Sequence, residues 1–215
     1  LQVFTDPKYA GRMSLPNSSD DVWALAYLAT GVTDWTTITD DQFKAADKGK
    51  ALGDWPGEYW LDTRSANVRN IMKARLDKAK ARGCDAIDAD NVDEHLQDTG
   101  FPLTYATQLD YNRFIASEAH RRGLKAGLKN DIDQLGDLAA SFDFAVNEQC
   151  HVYKECDRYS AFIAADKPVF NAEYKKLWHN DAAARERMCA TSRAMRARAS
   201  WFWISLRPIC CWASS

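Results

Sequence analysis

From residue 65 onward the sequence alternates short apolar runs with amphipathic segments, and every apolar run ends in polar or charged residues. The runs are Ala86–Ile87, followed by Asp88–Asp93; Leu124–Leu128, followed by Lys129–Asp131; Phe142–Val146, followed by Asn147–Glu148; and Lys167–Ala172, followed by Glu173–Tyr174. Between and beyond them, helical spacing appears over Ser65–Arg82, Thr104–Arg122, Ile132–Ala140, Cys156–Ala165 and Asp181–Arg198. In the first, Val68, Ile71, Met72, Leu76 and Ala79 share a face; in the second, Tyr111, Phe114, Ile115 and Ala119 do, with Gly83 and Gly123 as stops. Strands alternating with helices specify a parallel α/β sheet. In a (β/α)8 barrel the strand C-termini converge on one face, which carries the chemistry. A doubly wound sheet also gathers them on one edge. No glycine-rich phosphate fingerprint follows a strand, which weighs against a nucleotide fold.

The densest polar ending is also the most demanding. Asp85, Asp88, Asp90, Asp93 and Glu94 fall within ten positions around one apolar strand. Like charges repel, and a packed interior penalises each one, so either water reaches them or they serve a site. A calcium loop is a poor fit. Counted from Asp88, the sixth position is Asp93 rather than glycine, and the twelfth is Thr99 rather than glutamate. None of the six cysteines forms a zinc pattern with a nearby histidine. No metal and no cofactor is expected. Cys84 opens an apolar strand and makes a poor nucleophile. Cys150 and Cys156 lie close enough to bridge, with free buried thiols as the other reading.

With 215 residues, 46% hydrophobic and 12% aromatic, the chain can bury a core as one large domain or one and a half small ones. A net charge of −2 gives no sign of nucleic-acid binding. No apolar run approaches the roughly 20 residues of a membrane span. The chain opens at Leu1 without a signal peptide, as expected of a fragment or a processed product. Nothing in the composition sets the oligomeric state.

The N-terminal segment reads differently. Residues 1–50 predict a turn, a short strand and a helix, with Ser18, Ser19 and Asp20 as caps, Val22, Leu25, Ala26 and Ala29 on one helical face, and Gly31 as the stop. The phrase from Asp6 to Ala46 resembles polyamine-type solute-binding proteins of ABC transporters, without a complete ligand pocket. Leu52–Arg64 reads as an aromatic loop punctuated by Pro56 and Gly57.

A second resemblance covers residues 51–196. The phrases WPGEYWLDTR (55–64), GCDAIDADNVD (83–93), GLKND (127–131), FDFAVNEQC (142–150) and KPVFNAEY (167–174) resemble, in order and spacing, glycoside hydrolase family 114, the endo-α-1,4-polygalactosaminidases. The resemblance implies a secreted, retaining (β/α)8 glycosidase acting on cationic, partly deacetylated galactosaminogalactan. It also implies that the catalytic carboxylates are Asp90 and Glu148. Retaining hydrolysis needs a nucleophile and an acid/base about 5–5.5 Å apart. These two residues end different strands on the same predicted face, with Asp90 expected as nucleophile and Glu148 as acid/base.

Further residues at the strand ends are candidates for substrate binding. Asp88 and Asp93 either bind sugar amines or cap local turns. Lys129 and Asp131 either meet the substrate and the catalytic acids or lie on the surface. Asn147 precedes Glu148, where it would orient a sugar hydroxyl, and Glu173 and Tyr174 have a rim and a structural reading. Trp55 and Trp60 either stack on sugar or pack. The acidic cluster suits a cationic polymer by charge.

The fold class expected is thus an α/β, TIM-barrel-like (β/α)8 arrangement, incomplete at both ends. Residues 1–50 would replace the family's first strands, 51–196 would be the partial hydrolase domain, and 197–215 would be an atypical tail. The competing reading is an inactive chimera of a glycosidase remnant and a solute-binding fragment. Two parallel strands from residues 1–50 beside the acidic strand would favour the enzyme; a separate lobe would favour the chimera.

Overall fold

The computed structural model describes residues 14–16, 22–31, 42–53, 55–194, 200–204 and 207–211. They fall into two compact units, Leu1–Lys129 and Asn130–Ser215.

The first unit is built on a sheet in which β2 (Val22–Ala29), β5 (Ala86–Asp90) and β6 (Lys125–Lys129) run parallel. A three-residue strand, β1 (Ser14–Pro16), lies antiparallel outside β2. The register pairs Ala29 with Asp90 and Asp88 with Gly127. β3 (Lys48–Ala51) and β4 (Tyr59–Leu61) form a separate antiparallel pair, and β4 occupies part of the stretch Leu52–Arg64 expected to be loop. Helix α1 (Ala66–Ala81) precedes β5, and α2 (Tyr105–Arg121) precedes β6.

Both long helices follow from their sequences. Ser65 caps α1 by accepting from the Val68 N–H, and Thr104 caps α2 by accepting from the Thr107 N–H. Gly83 and Gly123 close them with φ of +80° and +66°, a backbone region that costs glycine little. Val68, Ile71, Met72, Leu76 and Ala79 are buried as expected. On α2, Tyr111, Ile115 and Ala119 are buried, whereas Phe114 is half-exposed under the Arg69 guanidinium, 4.9 Å from its ring centroid.

The expected helix over Val22–Ala29 is a strand. The run VWALAYLA is apolar almost throughout, which is the pattern of a strand buried on both faces as well as of a buried helix. Ladder bonds to β5 decide the matter. Gly31 is therefore no helix stop. Among the described residues of 1–50, one strand, β2, runs parallel beside the acidic strand, where two were the mark of the enzyme reading. The caps Ser18, Ser19 and Asp20 lie outside the described residues.

The second unit holds a parallel pair, β7 (Phe144–Glu148) and β8 (Val169–Ala172), with Glu148 opposite Ala172. Its helices are short: α3 (Leu135–Leu138), α4 (Cys150–Tyr153), α5 (Ser160–Ala164), α6 (Lys176–Asn180) and the longer α7 (Ala182–Ala194). The expected helices over 132–140 and 156–165 each begin as a 3-10 turn. Leu135, Leu138, Phe142, Phe144, Tyr159, Phe162 and Val169 are buried. Cys150 and Cys156 form a disulfide. β9 (Ser200–Ile204) and β10 (Arg207–Cys211) pair antiparallel.

Among the described residues, three strands of the first unit and two of the second stand in parallel ladders, fewer than the eight of a closed (β/α)8 barrel. Among them, too, no helix is long and apolar enough to cross a membrane.

Candidate active site

Three of the strands reach one to three residues further than their apolar runs, and β8 ends with its run at Ala172. Asp90, Lys129 and Glu148 are the last residues of β5, β6 and β7, not the first of the following loops. Each is followed by a residue in the left-handed region: Asn91 at φ +56°, Asn130 at +49° and Gln149 at +66°. Asparagine tolerates that region; glutamine adopts it less readily. The backbone thus turns sharply at the residue after each polar strand end.

In the first unit, residues 86, 88 and 90 point to one face of β5 because side chains alternate along a strand. Lys129 Nζ lies 3.2 Å from Asp88 Oδ2 and 3.9 Å from Asp90 Oδ1. The side chains of Asp88 and Lys129 are 2% and 6% exposed, against 15% for Asp90. Two opposite charges are therefore buried together, which offsets their loss of hydration. Asp90 alone of the three is open to an approaching molecule.

The Asp90 backbone is fastened. Its carbonyl accepts from the Thr30 N–H at 3.1 Å and from Thr30 Oγ1 at 2.7 Å. The Thr30 carbonyl in turn accepts from the phenol of Tyr111, which is fully buried. Two residues on, the Val92 carbonyl accepts from Asn112 Nδ2 at 2.9 Å, and Asn112 is held by Gln108 at 2.9 Å. Asp93 is half-buried at the head of the 3-10 turn Glu94–Leu96 and makes no capping bond with its side chain. Trp55 is exposed and Trp60 half-buried.

In the second unit, Glu148 is gripped by Asn130. Asn130 Oδ1 accepts from the Glu148 N–H at 2.9 Å, and Asn130 Nδ2 donates to Glu148 Oε2 at 3.3 Å. The Tyr174 phenol donates to the other oxygen, Oε1. Both carboxylate oxygens thus have fixed donors. Asn147 is fully buried and donates to the Tyr159 phenol at 2.7 Å. Asp131 is also fully buried, at a φ of +46°.

Glu173 is enclosed. Its Oε1 accepts from the His151 N–H at 2.8 Å and Asn171 Nδ2 at 3.2 Å, and its Oε2 accepts from Trp178 Nε1 at 3.2 Å. Burial raises its carboxyl above the ordinary value, with those three donors pulling the other way. His151 Nε2 lies 2.8 Å from Ser192 Oγ, and burial lowers its pKa by disfavouring the charged ring. Cys150, His151 and Cys156 come close enough together to hold a metal. Both of those sulfurs are committed to the disulfide, which leaves no thiolate for a metal.

Of the sequence candidates, the first unit gathers Asp88, Asp90 and Lys129, and the second ties Glu148 to Tyr174. Asn130, Thr30 and Tyr111 support these groups and His151 supports Glu173; of the four, the sequence pointed only to Tyr111, and to it as a core residue of its helix. For a supporting role, only Asn130 had a signal, as the middle residue of the KND ending.

The model of glycoside hydrolase family GH114 matches residues 14–205. No curated protein matches. Among solved structures, Aspergillus fumigatus Ega3 in complex with galactosamine is similar with a TM-score of 0.76 and 37% identity, over 83% of this chain and 73% of that one. The glycoside hydrolase domain of PelA from Pseudomonas aeruginosa shares the fold, with a TM-score of 0.59 and 16% identity, over 84% and 78%. Isomalto-dextranase from Arthrobacter globiformis T6, complexed with panose, gives a TM-score of 0.51 at 10% identity, over 79% and 36%. The family match takes in residues 14–46, and β2 within them pairs with β5, so the resemblance of that segment to a solute-binding protein finds no support. The match also runs to residue 205, past the boundary at 196 after which an atypical tail was expected. On this breadth of match and this α/β, TIM-barrel-like fold, the chain belongs to glycoside hydrolase family 114.

Proposed function

We propose that the chain hydrolyses α-1,4-galactosaminidic bonds in partly deacetylated galactosaminogalactan, with retention, using Asp90 as nucleophile and Glu148 as acid/base. Family membership and the likeness to Ega3, solved with galactosamine, support the substrate class. One observation carries the choice of residues. Asp90 and Glu148 each end a parallel strand, keep some exposure, and are held by dedicated partners, Thr30 on one side and Asn130 with Tyr174 on the other.

In this mechanism Asp90 attacks the anomeric carbon while Glu148 protonates the departing glycosidic oxygen, giving a covalent glycosyl-enzyme. Glu148 then takes a proton from water, which attacks the same carbon and frees Asp90. Asp93 and Tyr174 are the partners we assign to the sugar, because both retain exposure. Asp88, Lys129, Asp131, Asn147 and Glu173 are buried and act by holding the strand ends that substrate touches. The reading of an inert chimera is not favoured, since the family match runs across both segments of it. The Cys150–Cys156 bridge suits an oxidising compartment and supports secretion.

The test is to incubate the chain with partly deacetylated galactosaminogalactan, count new reducing ends, and follow the product anomer by NMR. The α-anomer should appear first with the wild type, and turnover should vanish in D90N and E148Q while binding persists. A β-anomer product, or undiminished turnover in E148Q, overturns the assignment.

A further inference from the structure

We infer that Glu94 is a positioning residue for Asp90, holding a proton on Oε1 and donating it in a hydrogen bond to the carbonyl oxygen of Asn91. As a role in catalysis this rests on the assignment of Asp90 as nucleophile; the hydrogen bond itself does not.

Glu94 is fully buried, four residues beyond Asp90. Its Oε2 is 3.4 Å from the Thr63 hydroxyl, which donates to it. No donor among the described residues reaches its Oε1. What faces Oε1 is an acceptor. A methyl group placed on Gly31 would lie 1.9 Å from Glu94 Oε1 and 1.9 Å from the Asn91 carbonyl oxygen, so these two oxygens approach each other across the bare Gly31 Cα. Two oxygens that only accept would repel at such range. A proton between them removes the conflict and satisfies both.

The neighbouring carbonyls show what this proton completes. Asp90 O is taken by Thr30 and Val92 O by Asn112, each a dedicated side-chain donor. Asn91 O lies between them, on a residue already turned into the left-handed region. With Glu94 protonated, three successive carbonyls at the end of β5 are pinned, and the Asp90 side chain is set on a fixed backbone.

The charges around Glu94 agree. Burial raises its pKa well above the ordinary 4.5, and Asp93 and Asp62 raise it further, against a smaller opposing effect of Thr63. The Tyr111 phenol faces the same interior with its own pKa pushed well up by burial and by Glu94, and Arg75 and Arg69 sit beyond it. Among the described residues, no cation opposes this rise. Gly31 is required here, because any side chain would occupy the space between the two oxygens.

Three readouts test this. Infrared difference spectra of wild type against E94Q near pH 7 should show the carbonyl stretch of a protonated carboxylic acid. Unfolding free energy should fall with rising pH as Glu94 ionises: the favourable proton is fully in place below about pH 4.5 and lost as pH passes the raised folded value. E94Q should abolish that slope. In kinetics, E94Q should keep kcat within a few-fold, because its amide donates to Asn91 O as the acid does. E94L should lower kcat by about 10²-fold with little change in KM, the cost of a nucleophile displaced by about 1 Å. Absence of the acid band, or full kcat in a folded E94L, overturns the inference. If the wild type shows the band and the slope yet hydrolyses nothing, the hydrogen bond stands and the glycosidase reading falls.

Discussion

Asn130 holds Glu148 by backbone and side chain at once, as acceptor from the Glu148 N–H at 2.9 Å and donor to Oε2 at 3.3 Å. The amide that fixes where the strand ends also fixes where the acid points. Asn130→Ala removes both bonds, so kcat should fall by about 10²-fold, the loss expected for a reacting group out of place by about 1 Å. Asn130→Asp keeps the acceptor and loses the donor, and should retain more activity. Comparison of kcat and KM on the polymer, with circular dichroism to check folding, decides it.

Lys129 and Asp88 neutralise each other in the interior of the first unit. Lys129→Met strands the Asp88 charge and should destabilise the fold by about 3–5 kcal/mol. The double replacement Asp88→Asn with Lys129→Met should recover most of that loss. Guanidinium unfolding of the three variants measures both effects. A single variant as stable as wild type would mean that water reaches Asp88.

Asp47 anchors the segment before α1. It accepts from Ser65 Oγ at 2.6 Å, Asn67 Nδ2 at 2.7 Å and the Lys44 N–H at 2.9 Å. Burial alone would raise its carboxyl, but these bonds and the Lys44 charge hold it below the ordinary 3.8. A lowered folded value means the stabilisation is present above about pH 3.8 and is lost as pH falls through the folded value. Asp47→Ala should cost about 1–3 kcal/mol at pH 7. It should also flatten the acid limb of the stability curve, read by denaturant titration at several pH values.

The bridge between Cys150 and Cys156 closes a loop with a sequence separation of 6 immediately after β7. Replacing both cysteines by serine should lower stability by about 2 kcal/mol, the loop-closure entropy of so short a ring. Reduction by dithiothreitol should lower the melting temperature of the wild type by more than that of the double-serine variant, which still carries the disulfide of Cys189. An equal shift in both would place the effect elsewhere.

The helices were legible where periodicity and capping agreed. Ser65, Gly83, Thr104 and Gly123 mark α1 and α2 to within a residue or two. β2 was not legible, because an unbroken apolar run has no period to read and only its ladder with β5 makes it a strand. The strand ends were read short for a related reason. Asp88, Asp90, Lys129 and Glu148 look like loop residues until their pairing or shared partners are known. Asp90 and Glu148 came from the resemblance rather than from spacing. The supports Thr30 and His151 lie far in sequence from what they hold, and no local pattern announces them; helical spacing placed Tyr111 in the core but not its bond to Thr30.

The pairing of Lys129 with Asp88 changes what an incoming polymer meets. Seen from solvent, the end of β5 and the turn after it carry the field of Asp90 and Asp93 rather than of three carboxylates, and at physiological salt that field fades within about 8 Å. A cationic chain is therefore not drawn in from afar by this cluster. Its amines are sensed only at contact, so selection among differently deacetylated stretches falls to the placement of individual hydrogen bonds, and added salt should slow encounter only slightly.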